Sequence, residues 1–415
     1  MGKSGALPRR TFLSLLAAVP RPLTITAIEI FKVTGERETI PGVDQQYQVQ
    51  QLHIYPELRP PIYKDKPGGA PRKVATSALY LKIKTDQGAE GLYGPIDAEC
   101  VPVIKSQLRP FLIGKDALAG EALWDQMYRL NRHSRAGHFM MAISAIDNTL
   151  WDLRGRFFNT PVYRLLGGPT RQDVEVYGSC LGFSLEPDKV KAKCVELRNE
   201  GFRNLKWFMA NGPSDGREGL LRNVELVRLT REAAGENVDL MFDAFTGWQL
   251  DFAITWAKLS EPYRPRWIEE AFPMDRLDAF VALRKATSIP VATGEHMYGR
   301  WMANEFLRAG AISVVQADPE WCGGVSELVK ICDIASLYDA QVFPHGHSLH
   351  AALHVVASQS PGTCPLVEYL ITKMRSYYHF EKQPLVPVKA RIALPDRPGF
   401  GIELDSAKVL SQEPV

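Results

Sequence analysis

The sequence is short of everything that would mark a disulfide scaffold, a membrane span or a nucleic-acid binder. Its six cysteines (Cys100, Cys180, Cys194, Cys322, Cys332 and Cys364) are scattered without a C-x-x-C pair, which argues against a disulfide framework and a sulfur-ligated zinc site. No window reaches the roughly 18 apolar residues that a bilayer crossing takes. An excess of one charge is missing too. Lys and Arg total 49 against 47 Asp and Glu, for a formal net charge of +2, and no basic run concentrates a local field, so neither nucleic acid nor an anionic membrane is an expected partner. What is present is 415 residues, 45% hydrophobic and 23% charged. That is the mix of a folded globular chain with room for two domains, and a small molecule is the favoured partner.

The first twenty residues differ in kind. Arg9-Arg10-Thr11-Phe12-Leu13 leads into a short apolar stretch ending at Val19, a pattern similar to a twin-arginine export signal. Pro20 and Pro22 follow, and no A-x-A cleavage site is visible. Residues 1–21 are therefore set apart as a signal or a disordered start. A real signal implies the periplasm, and otherwise the cytoplasm is expected.

From Leu23 the pattern becomes structural. A β-rich alternation runs from Ile25 to Val33, and a second strand over Ala78 to Lys84 meets a third through Thr85-Asp86-Gln87-Gly88, which is hairpin chemistry. The Pro- and Gly-rich stretch 56–71 between them reads as a long irregular loop, with His53, Arg59, Lys64 and Arg72 as its nearby polar groups. Helical periodicity then dominates to Leu166, strongest over Phe139 to Gly155, where Met140, Ile143, Ile146, Leu150 and Leu153 share one face. Residues 22–165 thus read as an α+β domain of three strands followed by helices.

After Val174 short apolar strands alternate with amphipathic helices, the rhythm of a parallel sheet with crossovers. The strand ends carry the chemistry. Phe202 to Phe208 contains Lys206; Val238 to Phe242 runs into Asp243, Arg266 to Ile268 into Glu269, and Pro290 to Gly294 into Glu295. Ile312 to Ala317 then runs into Asp318, and Gln341 to Pro344 into His345. Asp243, Glu269 and Glu295 are spaced by one strand-helix unit each, which places them on neighbouring strands. In a β/α barrel such residues meet at the C-terminal mouth.

Three carboxylates without a thiolate make a hard oxygen site suited to Mg²⁺. A rim with such a metal, a Lys on one side and a His on the other suits removal of the weakly acidic proton beside a carboxylate, with the metal stabilising the enediolate. His345 is the expected base and Asp318 its orienting partner, unless Asp318 is only a solvated loop carboxylate. Lys206 is a second base, a contact for the substrate carboxylate, or a side chain that merely covers the rim. His296 is a candidate donor to a leaving hydroxyl. A rival zinc reading of His345, His347, His350 and His354 lacks the glutamate of H-E-x-x-H.

These residues resemble the enolase superfamily, and within it the mandelate racemase branch. The resemblance rests on Ala145-Ile146-Asp147-Asn148-Thr149-Leu150-Trp151-Asp152 with Leu166-Gly167-Gly168, then Phe242-Asp243, Trp267-Ile268-Glu269-Glu270, Gly294-Glu295-His296, Gln316-Ala317-Asp318 and Pro344-His345-Gly346. Trp321-Cys322-Gly323-Gly324-Val325 and Arg397-Pro398-Gly399-Phe400-Gly401 are most similar to the acid-sugar dehydratases that act on L-rhamnonate. The resemblance implies a capping α+β domain over a modified TIM barrel, (β/α)₇β, occupying 166–371, with 372–415 returning to the cap. It also implies Mg²⁺ on Asp243, Glu269 and Glu295, a His345–Asp318 dyad, Glu368 as a substrate contact that supports the enediolate, a homo-oligomer, and an acid-sugar substrate. His53 and Arg72 are the nearest candidates for substrate contacts from the cap. Ala271 and Ala317 stand where proline is common, and His347 stands where a small hydroxyl residue is usual. The implied reaction is loss of the C2 proton and C3 hydroxyl of an aldonate to give a 2-keto-3-deoxy acid. Epimerisation, with Lys206 and His345 on opposite faces of the α-carbon, and non-catalytic binding of a sugar acid are the alternatives.

Overall fold

Strand β1 (Ile25–Glu38) pairs antiparallel along its length with β2 (Lys73–Thr85), and β3 (Glu90–Tyr93) adds to the far edge of β2. The computed structural model describes residues 21–40, 46–61 and 70–415. The twin-arginine-like stretch and Lys64 lie outside the described residues. The Thr85–Gly88 turn forms as its sequence predicts, with Gly88 at φ 78 and its N–H donated to Thr85 O at 3.2 Å. The alternation read along β1 is broken by a register shift between Ile25 and Ala27. Ile28 and Ile30 are buried together with Phe31 and Val33, so the strand covers apolar side chains on both faces. A fourth strand, unread from so polar a stretch, is Ser411–Pro414, which pairs with β1 antiparallel from the far end of the chain.

The strongest helix expected is present and slightly longer, Gly137–Phe157. Met140, Ile143, Ile146, Leu150 and Leu153 are buried on it, but so are Asp147, Asn148, Thr149 and Asp152. Periodicity alone would put such polar groups in water. The Thr149 hydroxyl is satisfied within its own helix by Ala145 O at 2.7 Å, whereas Asp147 and Asn148 are inside because they terminate another element. Helix Val325–Ser336 opens with N–H groups that have no partner within the helix. Asn148 Oδ1 accepts from Val325 N at 3.0 Å, Asp147 Oδ2 from Ser326 N at 2.9 Å, and Asp147 Oδ1 from the Ser326 hydroxyl at 2.7 Å. The cap helix therefore supplies the N-terminal cap of a helix in the other half of the molecule. Gly324 at φ 85 makes room for it, since a Cβ there would lie 2.4 Å from Asp147 Oδ2. Asp152 performs a similar service elsewhere, accepting from Leu92 N and Phe400 N at 2.8 Å each.

The second half holds eight strands in parallel pairing: β4 (Asp173–Ser179), β5 (Asn204–Phe208), β6 (Asp239–Asp243), β7 (Trp267–Glu269), β8 (Val291–Thr293), β9 (Val314–Val315), β10 (Gln341–Val342) and β11 (Leu366–Leu370). β11 lies beside β4, so the sheet curls round, and Val342 N donates to Thr363 O at 2.7 Å where β10 approaches the start of β11. A helix follows each of the first seven strands. This is the expected (β/α)₇β barrel beneath an α+β cap.

Inside the barrel, Tyr177, Met241, Trp267, Ala292, Val314, Phe343 and Leu366 form a separate apolar cluster, one from each of seven strands or their ends. Side chains two positions apart on a strand share a face. Two residues beyond the plug on β6, β7 and β11 stand Asp243, Glu269 and Glu368, and two beyond Phe343 stands His345. One period-2 rule thus stacks a charged layer on an apolar one.

Helix His350–Ser358 is buried almost throughout, its two histidines included. They do not converge as a metal pair. His350 Nε2 bonds Glu381 at 2.9 Å, while His354 Nδ1 accepts from Tyr163 N at 3.1 Å. The rival zinc reading is thereby corrected. An imidazole that accepts at Nδ1 is neutral with its proton on Nε2. Burial, and next to it His350, push the pKa of His354 down to about 3.

Two expectations follow for stability. Asp147→Ala leaves Ser326 N and the buried Ser326 hydroxyl without their acceptor, and is expected to lower unfolding stability by about 2–4 kcal/mol in urea titrations. For His354, the unfolded chain takes up a proton below about pH 6.5 that the folded chain refuses until about pH 3. Its contribution is whole above pH 6.5 and falls on acidification by about 1.4 kcal/mol per pH unit. Between pH 7.5 and 5.0 the wild type is expected to lose about 2 kcal/mol more than His354→Gln; equal losses in urea unfolding would refute it.

Candidate active site

The charged layer is built around Lys206. Its side chain leaves the middle of β5 into the barrel mouth and is 1% exposed. Nζ lies 2.5 Å from Glu269 Oε1, 2.9 Å from Glu368 Oε1 and 3.3 Å from Asp243 Oδ2. Burial opposes the ammonium charge, but Glu269, Glu368, Tyr177 and Asp243 outweigh it and hold the pKa well above the usual lysine value. Of the roles open to Lys206, the one of covering the rim is excluded by its depth.

The expected ligands Asp243, Glu269 and Glu295 all reach this layer. Asp243 and Glu269 are the last residues of β6 and β7, paired in register. Glu295 is off the two-residue rule, because Gly294 at φ 133 turns the chain after β8. A Cβ at Gly294 would stand 3.0 Å from Gln316 N. Burial raises Asp243 to about 7, Glu269 to about 8 and Glu295 to about 7; the Lys206 charge opposes it at Asp243 and Glu269, where neighbouring carboxylates add to it, and Glu270 adds to it at Glu295 against His345 and His296. Glu368 goes the other way. Burial raises it, but Lys206 and then His345 bring it down to about 2, and its Oε2 accepts from Gly346 N at 2.8 Å.

The dyad is assembled. His345 Nδ1 and Asp318 Oδ2 are 2.6 Å apart, and Asp318 Oδ1 accepts from Glu320 N at 2.6 Å. His345 Nε2 points into the mouth, 3.3 Å from Glu295 Oε2 and 4.0 Å from Glu368 Oε2. Burial disfavours the imidazolium, but Glu295, the Asp318 bond and Glu368 raise it to about 10. Asp318 is fully buried, which rules out the solvated-loop alternative.

His296 Nδ1 bonds Glu270 Oε1 at 3.0 Å and lies 3.4 Å from Glu295 Oε1. Burial lowers its pKa, and the Glu270 bond and charge then raise it to about 9. Glu270 was missed by the sequence reading. Next to Glu269 on an extended strand it would point the opposite way, but φ 44 breaks the alternation and turns its carboxylate to the same mouth. Among the described residues, Glu270, Glu295 and His296 are the group whose possible metal-binding atoms all lie within 4.8 Å of one another, whereas Asp243 and Glu269 share the Lys206 ammonium. Asp97, Lys373 and Glu320, beside the dyad, are not among the expected residues, and Trp321 stood out only as part of the Trp321–Val325 motif; the unusual His347 bonds both Asp97 and Lys373.

The two cap residues proposed for substrate stand apart from these bonds. His53 lies in a short turn whose neighbour Gln51 bonds Thr246 in the loop after β6, and its Nδ1 accepts from Gln50 N at 3.1 Å. Arg72 is exposed beside the open end of the β1–β2 ladder, where its backbone bonds Thr39.

The donor set fits a hard divalent cation. Asp243, Glu269, Glu270, Glu295, Asp318 and Glu368 are buried carboxylates, and the cations among them are Lys206, His296 and His345. Even with both imidazoles protonated, negative charge is in excess, and every candidate ligand but histidine is an oxygen donor.

The chain and its fold have counterparts among known proteins. The mandelate racemase / muconate lactonizing enzyme N-terminal domain matches residues 71–167, and the enolase C-terminal domain-like family matches 189–408. An L-rhamnonate dehydratase of Saccharopolyspora erythraea is 30% identical over 400 residues, 92% of this chain and 97% of that protein. The crystal structure of L-rhamnonate dehydratase from Gibberella zeae superposes with a TM-score of 0.79 at 27% identity, over 96% of this chain and 98% of that one. A rhamnonate dehydratase structure from the same organism, complexed with Mg, gives 0.77 at 26% identity over 94% and 96%. The barrel with its layered mouth, the cap and these matches together make the chain a member of the mandelate racemase / muconate lactonizing enzyme family of the enolase superfamily.

Proposed function

We propose that the protein is a Mg²⁺-dependent acid-sugar dehydratase with an L-rhamnonate-like aldonate as substrate. The observation that carries the proposal is the orientation of His345: Nδ1 is held by Asp318 while Nε2 faces Glu295 and Glu368 across the barrel mouth. The names of the relatives, L-rhamnonate dehydratases covering nearly the whole chain, support the substrate class.

In this reading Asp243, Glu269 and Glu295 hold the metal. When bound, Mg²⁺ supplies positive charge for the substrate carboxylate and the anion derived from it, and takes up the Glu295 charge that otherwise raises His345. His345 Nε2 receives the C2 proton, and Asp318 keeps the other nitrogen protonated and stabilises the imidazolium. Glu368, fixed by Gly346 N and Lys206, contacts the substrate. Lys206 neutralises the layer from below. With three carboxylates around it and a raised pKa it is poorly suited to be a second base, which weighs against epimerisation. His296, held protonated by Glu270, donates to the hydroxyl that leaves from C3, so the proton removed at one imidazole and the one delivered by the other balance the loss of water.

A panel of aldonates and aldarates incubated with Mg²⁺ is expected to yield a 2-keto-3-deoxy acid from at least one, scored by semicarbazide absorbance; α-deuterium incorporation in heavy water without keto acid would point to epimerisation instead. His345→Asn is expected to lower kcat at least about 10³-fold, and a fully active variant would overturn the choice of base. Glu270→Gln removes the negative charge that helps keep His296 protonated. The His296 signal in an NMR titration is then expected to fall from about 9 toward its ordinary value, with a parallel loss of kcat; an unmoved signal would exclude Glu270 as the cause.

A further inference from the structure

Against both His296 and His345 lies an aromatic plane that neither the ligand set nor the dyad uses. The Trp321 indole stacks with His296 at a centroid distance of 5.4 Å and 20° and with His345 at 5.1 Å and 30°. His347 lies against it at 4.8 Å and 47°. One side chain thus touches three imidazoles.

The indole is held at two points. Its backbone N–H donates to Asp318 O at 3.0 Å, so it hangs from the dyad carboxylate's own residue. Its Nε1 donates at 2.9 Å to Oδ2 of Asp97, which belongs to the cap. The other oxygen of Asp97 takes His347 Nε2 at 2.9 Å. Lys373 Nζ donates to His347 Nδ1 at 2.9 Å and to His347 O at 2.8 Å, so Nδ1 is an acceptor and the proton sits on Nε2. Asp97 therefore receives two donors, one per oxygen. An amide at that position would turn an N–H against one of them.

A ring tied through a single nitrogen still pivots about that bond. His345 has its bond to Asp318 and His296 its bond to Glu270, and each needs a flat surface to stop the pivot. From this geometry we infer that Trp321 is a positioning residue for both imidazoles, and that Asp97 sets the plane of its indole from the cap. The catalytic consequence rests on the dehydratase reading, whereas the positional claim does not. The seam between cap and barrel thereby reaches proton acceptor and proton donor through one plane, and a small misplacement of either costs rate more than binding.

The test uses Trp321→Phe, which keeps a plane and deletes the donor, Trp321→Leu, Asp97→Ala, and the double variant Asp97→Ala/Trp321→Phe. In the full-length protein labelled at histidine Cε1, the His296 and His345 signals, assigned with His296→Asn and His345→Asn, are expected to shift in Asp97→Ala, while those of His133 and His138 stay in place. On the acid sugar turned over by the wild type, Trp321→Leu is expected to lose about 100-fold in kcat and Asp97→Ala about 10-fold, with KM within about 3-fold. The double variant is expected to be no worse than Asp97→Ala, because both changes cut one tie. Unmoved signals in Asp97→Ala, or losses that multiply in the double variant, would overturn the inference. If Trp321→Leu does not fold, Trp321→Phe and Asp97→Ala decide it. A wild type without any keto-acid product would defeat the dehydratase reading alone, and the imidazole signals would still judge the tie.

Discussion

Everything at the barrel mouth answers to one constraint: negative charge has been taken out of water and must be balanced within a few ångströms. The effective cost of burying an ion is several kcal/mol, and a contact near 3 Å returns about 5 kcal/mol at an effective dielectric near 20. Lys206 makes three such contacts at once. That settles why a lysine lies inside a barrel whose next layer down is Tyr177, Trp267 and Phe343; Glu368, faced by His345 as well as Lys206, falls below its ordinary pKa. Asp243, Glu269 and Glu295 keep an unbalanced share and rise instead. Buried carboxylates that rise together make a site ready to exchange protons for a hard cation.

The balance requires that the strands end at the right height, and the plug secures this. Because large apolar side chains fill the barrel interior two residues below the charged positions, the strands cannot slide in register without driving carboxylates into Trp267 and Phe343. The glycine after β8 then delivers Glu295 from outside the two-residue pattern. Order in the charged layer is thus inherited from packing in the apolar one.

The cap is joined to the barrel by polar bonds that are satisfied nowhere else. Asp147 and Asn148 complete the start of helix Val325–Ser336, and Trp124 Nε1 donates to Gly323 O at 2.7 Å. Tyr93 of β3 hydrogen-bonds Glu320, whose burial and proximity to Asp318 hold its pKa well above the carboxylate range. These contacts surround the turn 318–324 from the cap side. A turn so anchored is rigid enough to carry the dyad aspartate, and the C-terminal strand on β1 ties the cap to the last residues of the chain as well.

Strand and helix rhythm was legible because burial repeats every two residues on a strand and every 3.6 on a helix, and a linear chain displays both periods. Asp243, Glu269, Asp318 and His345 were found this way, each at or just past the end of an apolar run. Glu270 was not, since a single φ of 44 reverses the side on which it emerges. Nor was the grouping of Asp97, Trp321, His347 and Lys373, which come from four separate segments. Asp147 was visible in a motif, but not the helix it caps. By itself, then, the order of residues determined which groups lie on one face of each element. Only the closed barrel and the docked cap decided which faces meet, and with that which carboxylate is neutralised, which keeps its proton and which imidazole can turn, because charge balance and desolvation depend on distances through space that the linear order does not contain.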